Sequence, residues 1–307
     1  DQIRSVVPEP EGDELNKLLL DAQQRCFAVG LTSVTDAGLD YSQVVHLDSL
    51  QKSGKIMIHL YIMLTPTREN VERFVTRGIF STEKMEVRSV KLYADGSLGS
   101  RTARLKEPYS DAPGQSGLIV TSQDSVRKVC DLALKHGYQV NTHCIGDAAV
   151  GMVLQTYAEF LKVKNDLRWR VEHAQVVDPD DMHYFRDYSI IPSVQATHAT
   201  SDMEWADERL GPVRIGHAYA LKELLSQNGW LPNGTDFPIE HISPLYTVYA
   251  SVARRDLRGN PQEGFQTEHA LGREEALRSI TIWAAKGGFL ENKKGSLETG
   301  KDADFIV

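Results

Sequence analysis

Four ionisable side chains stand where predicted β-strands of this sequence give way to loops: Lys91, His143, His173 and Asp236. Two imidazoles and a carboxylate on separate strands are ligand types that a divalent metal, zinc above all, prefers. Lys91 is unusual in such a set, because a protonated lysine binds no metal and its charge is expensive to bury unless its pKa falls. A neutral buried lysine can react with carbon dioxide to give a carbamate, which is a carboxylate able to bridge two metals. The pattern predicts a centre for one or two metal ions.

The elements that must position these residues alternate between strand and helix periodicity. Strands are predicted near 31–35, 56–64, 87–93, 138–144, 169–173, 190–195 and 229–236, and helices at 13–29, 43–53, 69–77, 125–136, 147–162, from 178, at 217–227 and at 273–286. Strict alternation favours a parallel sheet covered by helices. The turn at 36–39 lacks the glycine-rich phosphate loop of a doubly wound sheet. We therefore predict an α/β fold of the TIM (β/α)8-barrel type, with seven strands visible and the first strand missing.

Composition excludes several classes of protein. The 307 residues contain 34 Lys+Arg against 42 Asp+Glu, for a formal net charge of -8. This acidic balance, with no basic cluster, disfavours binding to nucleic acid or to an anionic membrane. No apolar run reaches the roughly 18–20 residues of a membrane span. Three widely spaced cysteines give neither a disulfide framework nor a thiol zinc site, and they are compatible with a cytoplasmic location.

Several runs in this chain resemble signatures of the amidohydrolase superfamily, and most closely its amidohydrolase family 3, the YtcJ-like hydrolases that include N-substituted formamide deformylase. The runs are 90–103 (VKLYADGSLGSRTA), 141–147 (NTHCIGD), 171–175 (VEHAQ), 195–203 (QATHATSDM), 234–238 (GTDFP) and 295–304 (GSLETGKDAD). They occur in the family's order over nearly the whole chain, which makes the resemblance specific.

The resemblance implies a role for each of the four residues. Lys91 becomes a carbamylated ligand that bridges two metals, and His143 and His173 become ligands of the second metal position. Asp236 becomes both a ligand of the first metal and the catalytic proton carrier. The family also implies an H-x-H pair on the first strand, but no two of the ten histidines here are spaced i, i+2.

The resemblance also suggests how the chain is divided. The first strand and half of a small β-sandwich are expected upstream of Asp1. Residues 1–294 would be the incomplete hydrolase barrel and residues 295–307 the start of the sandwich, with a strand at 303–307. Without the H-x-H pair, the ligands of one metal position are not accounted for.

Three further residues are candidates for contacts with the substrate. His198 follows a strand and could bind the substrate carbonyl or only cap the loop, and Arg101 and Asp95 could line the pocket or only brace the long loop 94–121. Cys144 is a poor nucleophile, since adjacent strand residues point to opposite faces and separate it from His143.

The resulting hypothesis is a hydrolase that uses a metal-activated water, with Zn2+ the expected ion, to cleave carbon–nitrogen bonds, other than peptide bonds, of a small amide or formamide-like molecule. Two alternatives remain: a truncated or degenerate barrel without activity, and a deaminase or esterase with the same metal site. The expected partner is a small-molecule substrate, and assembly as a homodimer is left open.

Overall fold

The computed structural model describes residue 8 and residues 10–306 of the chain. The strands are β1 Ser33–Leu39, β2 His59–Leu64, β3 Phe80–Ser81, β4 Met85–Tyr93, β5 Gln139–Cys144, β6 Arg170–His173 and β7 Ile191–Ser193. The helices are α1 Gly12–Ala28, α2 Tyr41–Lys52, α3 Arg68–Arg73, α4 Gln123–His136, α5 Asp147–Leu161, α6 His183–Asp187, α7 Ala196–Asp202, α8 Ala206–Arg214, α9 Leu221–Asn228, α10 Pro244–Ala253, α11 Arg273–Ile280 and α12 Ile282–Gly287. The predicted alternation of helices and strands is confirmed.

The strands form one curled sheet. Its order is β1-β2-β4-β5-β6-β7, all parallel, with β3 antiparallel at the start of β4. The curl brings side chains from non-adjacent strands together: the Tyr61 hydroxyl of β2 donates to Gln139 of β5 at 2.9 Å, and Arg170 of β6 lies 3.9 Å from the sulfur of Met63 on β2. The α/β prediction is thereby confirmed as a curled parallel half-barrel.

Two predicted strands differ from the structure. The strand at 229–236 is reduced to a single bridge, Val194 with Asn233, because Pro232 has no N–H to donate to a ladder. The backbone at this bridge still follows β7, since Val194 donates to Pro232 at 3.0 Å and Gly234 donates to Val194 at 2.9 Å. The sandwich strand predicted at 303–307 is not formed over residues 303–306, and Val307 lies outside the described residues.

The helix predicted at 273–286 is two helices, because Thr281 leaves helical geometry at φ -122° and ψ -99°. Helices α7, α8 and α10 were not predicted. The first is short and polar, α8 contains Gly211 and Pro212, and the buried side chains of α10 include Thr247 and Ser251 as well as Ala250. None of the three carries the apolar stripe on which periodicity depends.

The apolar core lies between the sheet and its helices, whereas the inside of the curl is polar. In α5, Val150, Val153 and Leu154 are fully buried against the outer face of the sheet. The inner face carries Lys91 and Asn141, among other buried polar residues. The sheet therefore separates an ordinary hydrophobic core from an interior suited to chemistry.

A close backbone contact joins the long loop 94–121 to the carboxyl end of β5. Gly146 precedes α5, and Ala148 donates from its amide to the carbonyl of Arg104 at 3.1 Å. A Cβ atom at Gly146 would fall inside the van der Waals radii of the Arg104 backbone nitrogen, carbon and oxygen. Only glycine allows the loop to lie this close.

Replacing Gly146 with alanine should therefore lower the free energy of unfolding by about 1–3 kcal/mol, because the clash is with backbone that cannot rotate away. Gly114→Ala is the matched control, since Gly114 lies in the loop 94–121 that Gly146 contacts and a Cβ atom there meets nothing within 4 Å. Urea denaturation of both variants gives the comparison. Equal midpoints would show that the contact at Gly146 is unimportant.

Candidate metal centre

The side chains of Lys91 and His143 face the inside of the curl from neighbouring strands. In register, Lys91 pairs with Asn141 and Tyr93 pairs with His143, so alternate residues of β4 and β5 point the same way. Cys144 points oppositely and is fully buried in the hydrophobic core. This confirms that Cys144 and His143 do not form a dyad.

His173 ends β6 in an unusual backbone conformation. Its φ is +72° and that of Ala174 is +44°, in the left-handed region that residues other than glycine rarely adopt. The turn carries the ring to the end of the strand, where its centroid lies 4.6 Å from that of His143. Its Nδ1 atom is buried and has no hydrogen-bond partner among the described residues. A buried imidazole nitrogen of this kind is available as a metal ligand.

Asp236 reaches the same place from the irregular segment that follows the bridge to β7. Its φ is +56°, which is again left-handed. One donor atom each from His173, His198 and Asp236 lies within 4.8 Å of the other two. His198 is the fourth histidine or carboxylate that the fold brings to the carboxyl ends of the strands, and its Nε2 atom is 3.1 Å from Oδ2 of Asp236.

Lys91 is 6% exposed and lies beside groups that oppose one another electrostatically. Burial lowers the pKa of Lys91, and the nearby Glu172 carboxylate opposes that shift. Glu172 is itself paired with Arg170, at 2.7 Å. Next to Lys91 in register, the Nδ2 and Oδ1 atoms of Asn141 are buried without a partner among the described residues. The interior thus contains polar atoms that an additional group could satisfy.

The three histidines of the site differ in their preferred charge. Burial lowers the pKa of His143 to about 4, and burial together with neighbouring His143 and His198 lowers the pKa of His173 well below its usual value. His198 is different: burial lowers its pKa, but hydrogen bonds to Asp236 and Glu240 outweigh this and raise the pKa to about 9. At neutral pH, therefore, His143 and His173 are neutral, as metal ligands must be, and His198 is a cation.

The structure gives Arg101 and Asp95 roles within the long loop. Arg101 donates to Asp111 at 2.6 Å. Asp95 is 2% exposed and accepts from the backbone amides of Arg104, Ile145 and Gly146 at 2.8–3.0 Å. Both residues brace the loop, which is one of the two roles expected for them, and their contact with a substrate stays a prediction. Asp95 also holds the chain immediately after His143.

Three residues of the site were not predicted. Glu240 lies 3.1 Å from Nδ1 of His198, and Ser201 donates to the same carboxylate oxygen at 2.6 Å. Glu172, within the quoted run 171–175, also was not singled out. The signal that could have found Glu240 is its position four residues after Asp236, in the same turn.

The nitrogen and oxygen atoms of His173, His198 and Asp236 form a donor set that fits a divalent cation. Imidazole nitrogens and a carboxylate that meet beside the carboxyl ends of the strands, with the unpartnered Nδ1 of His173 among them, are the groups such an ion takes. Among the described residues, no helix is both long and apolar enough to cross a membrane.

A curled parallel sheet of this kind is also found in a solved metal-dependent hydrolase. The structure of an uncharacterized metal-dependent hydrolase from Pyrococcus furiosus matches 96% of this chain and 59% of its own, with a TM-score of 0.84 and 31% identity. The chain belongs to the amidohydrolase family, whose family model matches residues 1–307. The family predicted from the motifs is confirmed.

Curated relatives support the same assignment. The protein LONG AFTER FAR-RED 3 of Arabidopsis thaliana is 30% identical, over 98% of this chain and 54% of its own length. The putative amidohydrolase YtcJ of Bacillus subtilis is also 30% identical, over 100% and 58%. N-substituted formamide deformylase of Arthrobacter pascens is 23% identical, over 97% and 56%. The chain spans about half the length of the curated relatives it matches.

Asp95→Asn should lower the free energy of unfolding by about 1–3 kcal/mol, because an amide group leaves at least one of the three buried backbone N–H groups without an acceptor. Asp207→Asn is the control, since Asp207 is exposed and, within the part of the chain that the structure describes, its side chain accepts only from the amide of Glu208. Urea denaturation measures the difference, and an Asp95→Asn variant as stable as the control would contradict the bracing role.

Proposed function

We propose that this protein is a metal-dependent hydrolase of carbon–nitrogen bonds in a small amide or formamide-like molecule. The observation that carries the proposal is the meeting of His173, His198 and Asp236 donor atoms within 4.8 Å, at the strand ends where His143 also lies. The relative named for N-substituted formamide deformylation supports the choice of substrate class.

In this proposal His143, His173, Asp236 and Lys91 hold the metal, with Zn2+ as the expected ion and one or two ions per site. When bound, such an ion makes water nucleophilic near neutral pH and polarises a carbonyl oxygen. Lys91 contributes as a carbamate, formed when its neutral Nζ attacks carbon dioxide and releases a proton. Its burial favours this chemistry because the neutral amine is the reactive form.

Asp236 acts as the proton carrier. A carboxylate here can accept the proton that the attacking water loses and pass it to the departing nitrogen, which must leave as a neutral amine. The hydrogen bond with His198, at 3.1 Å, fixes the direction in which one Asp236 oxygen points. His198 also supplies a positive charge beside the place where negative charge develops on the substrate oxygen.

The metal site can be tested without a substrate. His173→Ala should lower the bound divalent metal by tenfold or more under metal-replete conditions, measured by inductively coupled plasma mass spectrometry on the full protein, because one imidazole ligand is lost. His183→Ala is the control, since His183 is exposed on α6. Fewer than one ion per chain in the unsubstituted protein would refute the metal-dependent proposal.

The chemistry can be tested with a panel of N-substituted formamides and acetamides, with matching esters and amino-heterocycles for comparison. Asp236→Asn should reduce kcat by about 100-fold or more, because the amide cannot carry the proton. Asp207→Asn should not change it. Turnover of the esters or amino-heterocycles alone would replace the amide proposal with an esterase or a deaminase, and no turnover by the metal-loaded protein would favour the inactive barrel.

A further inference from the structure

A chain of hydrogen bonds runs from the surface of α7 to the predicted proton carrier. Ser201 donates from Oγ to Oε1 of Glu240 at 2.6 Å, and the same oxygen lies 3.1 Å from Nδ1 of His198. On the other side of the ring, Nε2 of His198 lies 3.1 Å from Oδ2 of Asp236. Both nitrogens of His198 therefore face carboxylate oxygens.

The carboxylate of Glu240 decides which way this ring is turned. An ionised carboxylate only accepts hydrogen bonds, so the Nδ1 atom facing it must carry hydrogen. A hydrogen bond at one imidazole nitrogen fixes both the ring orientation and what the other nitrogen can do. With Nδ1 directed at Glu240, Nε2 is aimed at Asp236.

Other contacts hold the backbone at both ends of this hydrogen-bond chain in place. One turn after His198, Asp202 accepts from the Tyr219 hydroxyl at 2.8 Å and from Gln175 at 3.2 Å, which anchors α7. On the opposite side, the Glu240 amide donates to the Asp236 carbonyl at 3.3 Å, so that both carboxylates belong to one turn. With both backbone segments anchored, the contact with Glu240 restricts the rotation of the His198 ring.

We propose that Glu240 is the positioning residue of this site: it holds the His198 ring with Nδ1 toward Glu240 and Nε2 toward the proton carrier Asp236. Ser201 fixes Glu240 in turn. The inference deepens the proposed function, on which its consequence for proton transfer rests, but the orientation of His198 is a property of the folded protein whether or not a substrate turns over.

The orientation is measured by NMR of the full protein labelled with 15N in histidine, following the ring nitrogens and their bound hydrogens. Glu240→Ala should abolish the slowly exchanging Nδ1–H signal of His198, assigned by its loss in His198→Ala. Glu240→Gln should retain the signal, because the amide oxygen can still accept. Glu204→Gln is the matched control, since Glu204 is exposed. An unchanged His198 signal in Glu240→Ala would overturn the proposal.

Metal content and kinetics give second readouts. Glu240→Ala should retain its bound metal within twofold, whereas a tenfold loss would mean that Glu240 supports a ligand and would overturn the proposal. With the best formamide substrate, kcat should fall about 10-fold to 100-fold with KM within twofold, and Glu240→Gln should recover most of kcat. An equal loss of kcat in the two variants would assign the role to the charge of Glu240 and contradict positioning.

These outcomes separate the two proposals. If the unsubstituted protein turns over none of the substrates, the proposed function fails while the NMR comparison still decides the orientation of His198. If Glu240→Ala does not fold, as judged by circular dichroism, Ser201→Ala takes its place, and it should broaden or shift the same Nδ1–H signal. No change in that signal would count against the proposal.

Discussion

The removal of polar side chains from water on the inside of a curled sheet is the constraint on which this structure depends. A parallel sheet normally buries apolar residues on both faces, yet here Lys91, Asn141, Arg170 and Glu172 are each at most 6% exposed on the inner face. Arg170 and Glu172 satisfy one another at 2.7 Å. For Lys91, burial instead lowers the pKa, which favours the neutral amine. The interior thus contains buried polar groups, Lys91 and Asn141, that a bound ion or other charged group could satisfy.

The loop between β4 and α4 packs against the carboxyl end of β5 and so forms one border of this interior. Asp95 ties the loop to the amides of Ile145 and Gly146, and the missing side chain at Gly146 lets the Arg104 backbone lie against the start of α5. Because these contacts directly follow His143, the position of its imidazole depends on the packing of the loop as well as on β5. Two further residues at this edge have strained backbone at positive φ: His173 at the end of β6, and Asp236 in the irregular segment after the bridge to β7.

The sequence predicts this arrangement as far as strand periodicity reaches. The location of Lys91, His143 and His173 could be predicted because β4, β5 and β6 are regular strands, and residues at the carboxyl ends of parallel strands share one edge. Asp236 was found although its strand is reduced to one bridge, since a single pairing at Asn233 is enough to carry the next residues to that edge. Glu240 could not be found in this way. It lies in an irregular segment, and its contact with His198 depends on the placement of α7, which has no apolar stripe.

The charges around the site argue that it is built for a cation even though one of its histidines is positive. Asp236 and Glu240 flank His198 at 3.1 Å on either side, so that two carboxylates more than compensate one imidazolium. His143 and His173 are neutral, and Arg170 and Glu172 cancel. With Lys91 neutral, the sum over these groups is one negative charge, and a carbamate on Lys91 would make it two. The side chains of His143, His198 and Glu240 are only 12–17% exposed, so this imbalance attracts a divalent ion more strongly than it would at an exposed surface. His198 lies between these two carboxylates, so its ring joins the turn that carries Glu240 to the Asp236 side chain at the centre.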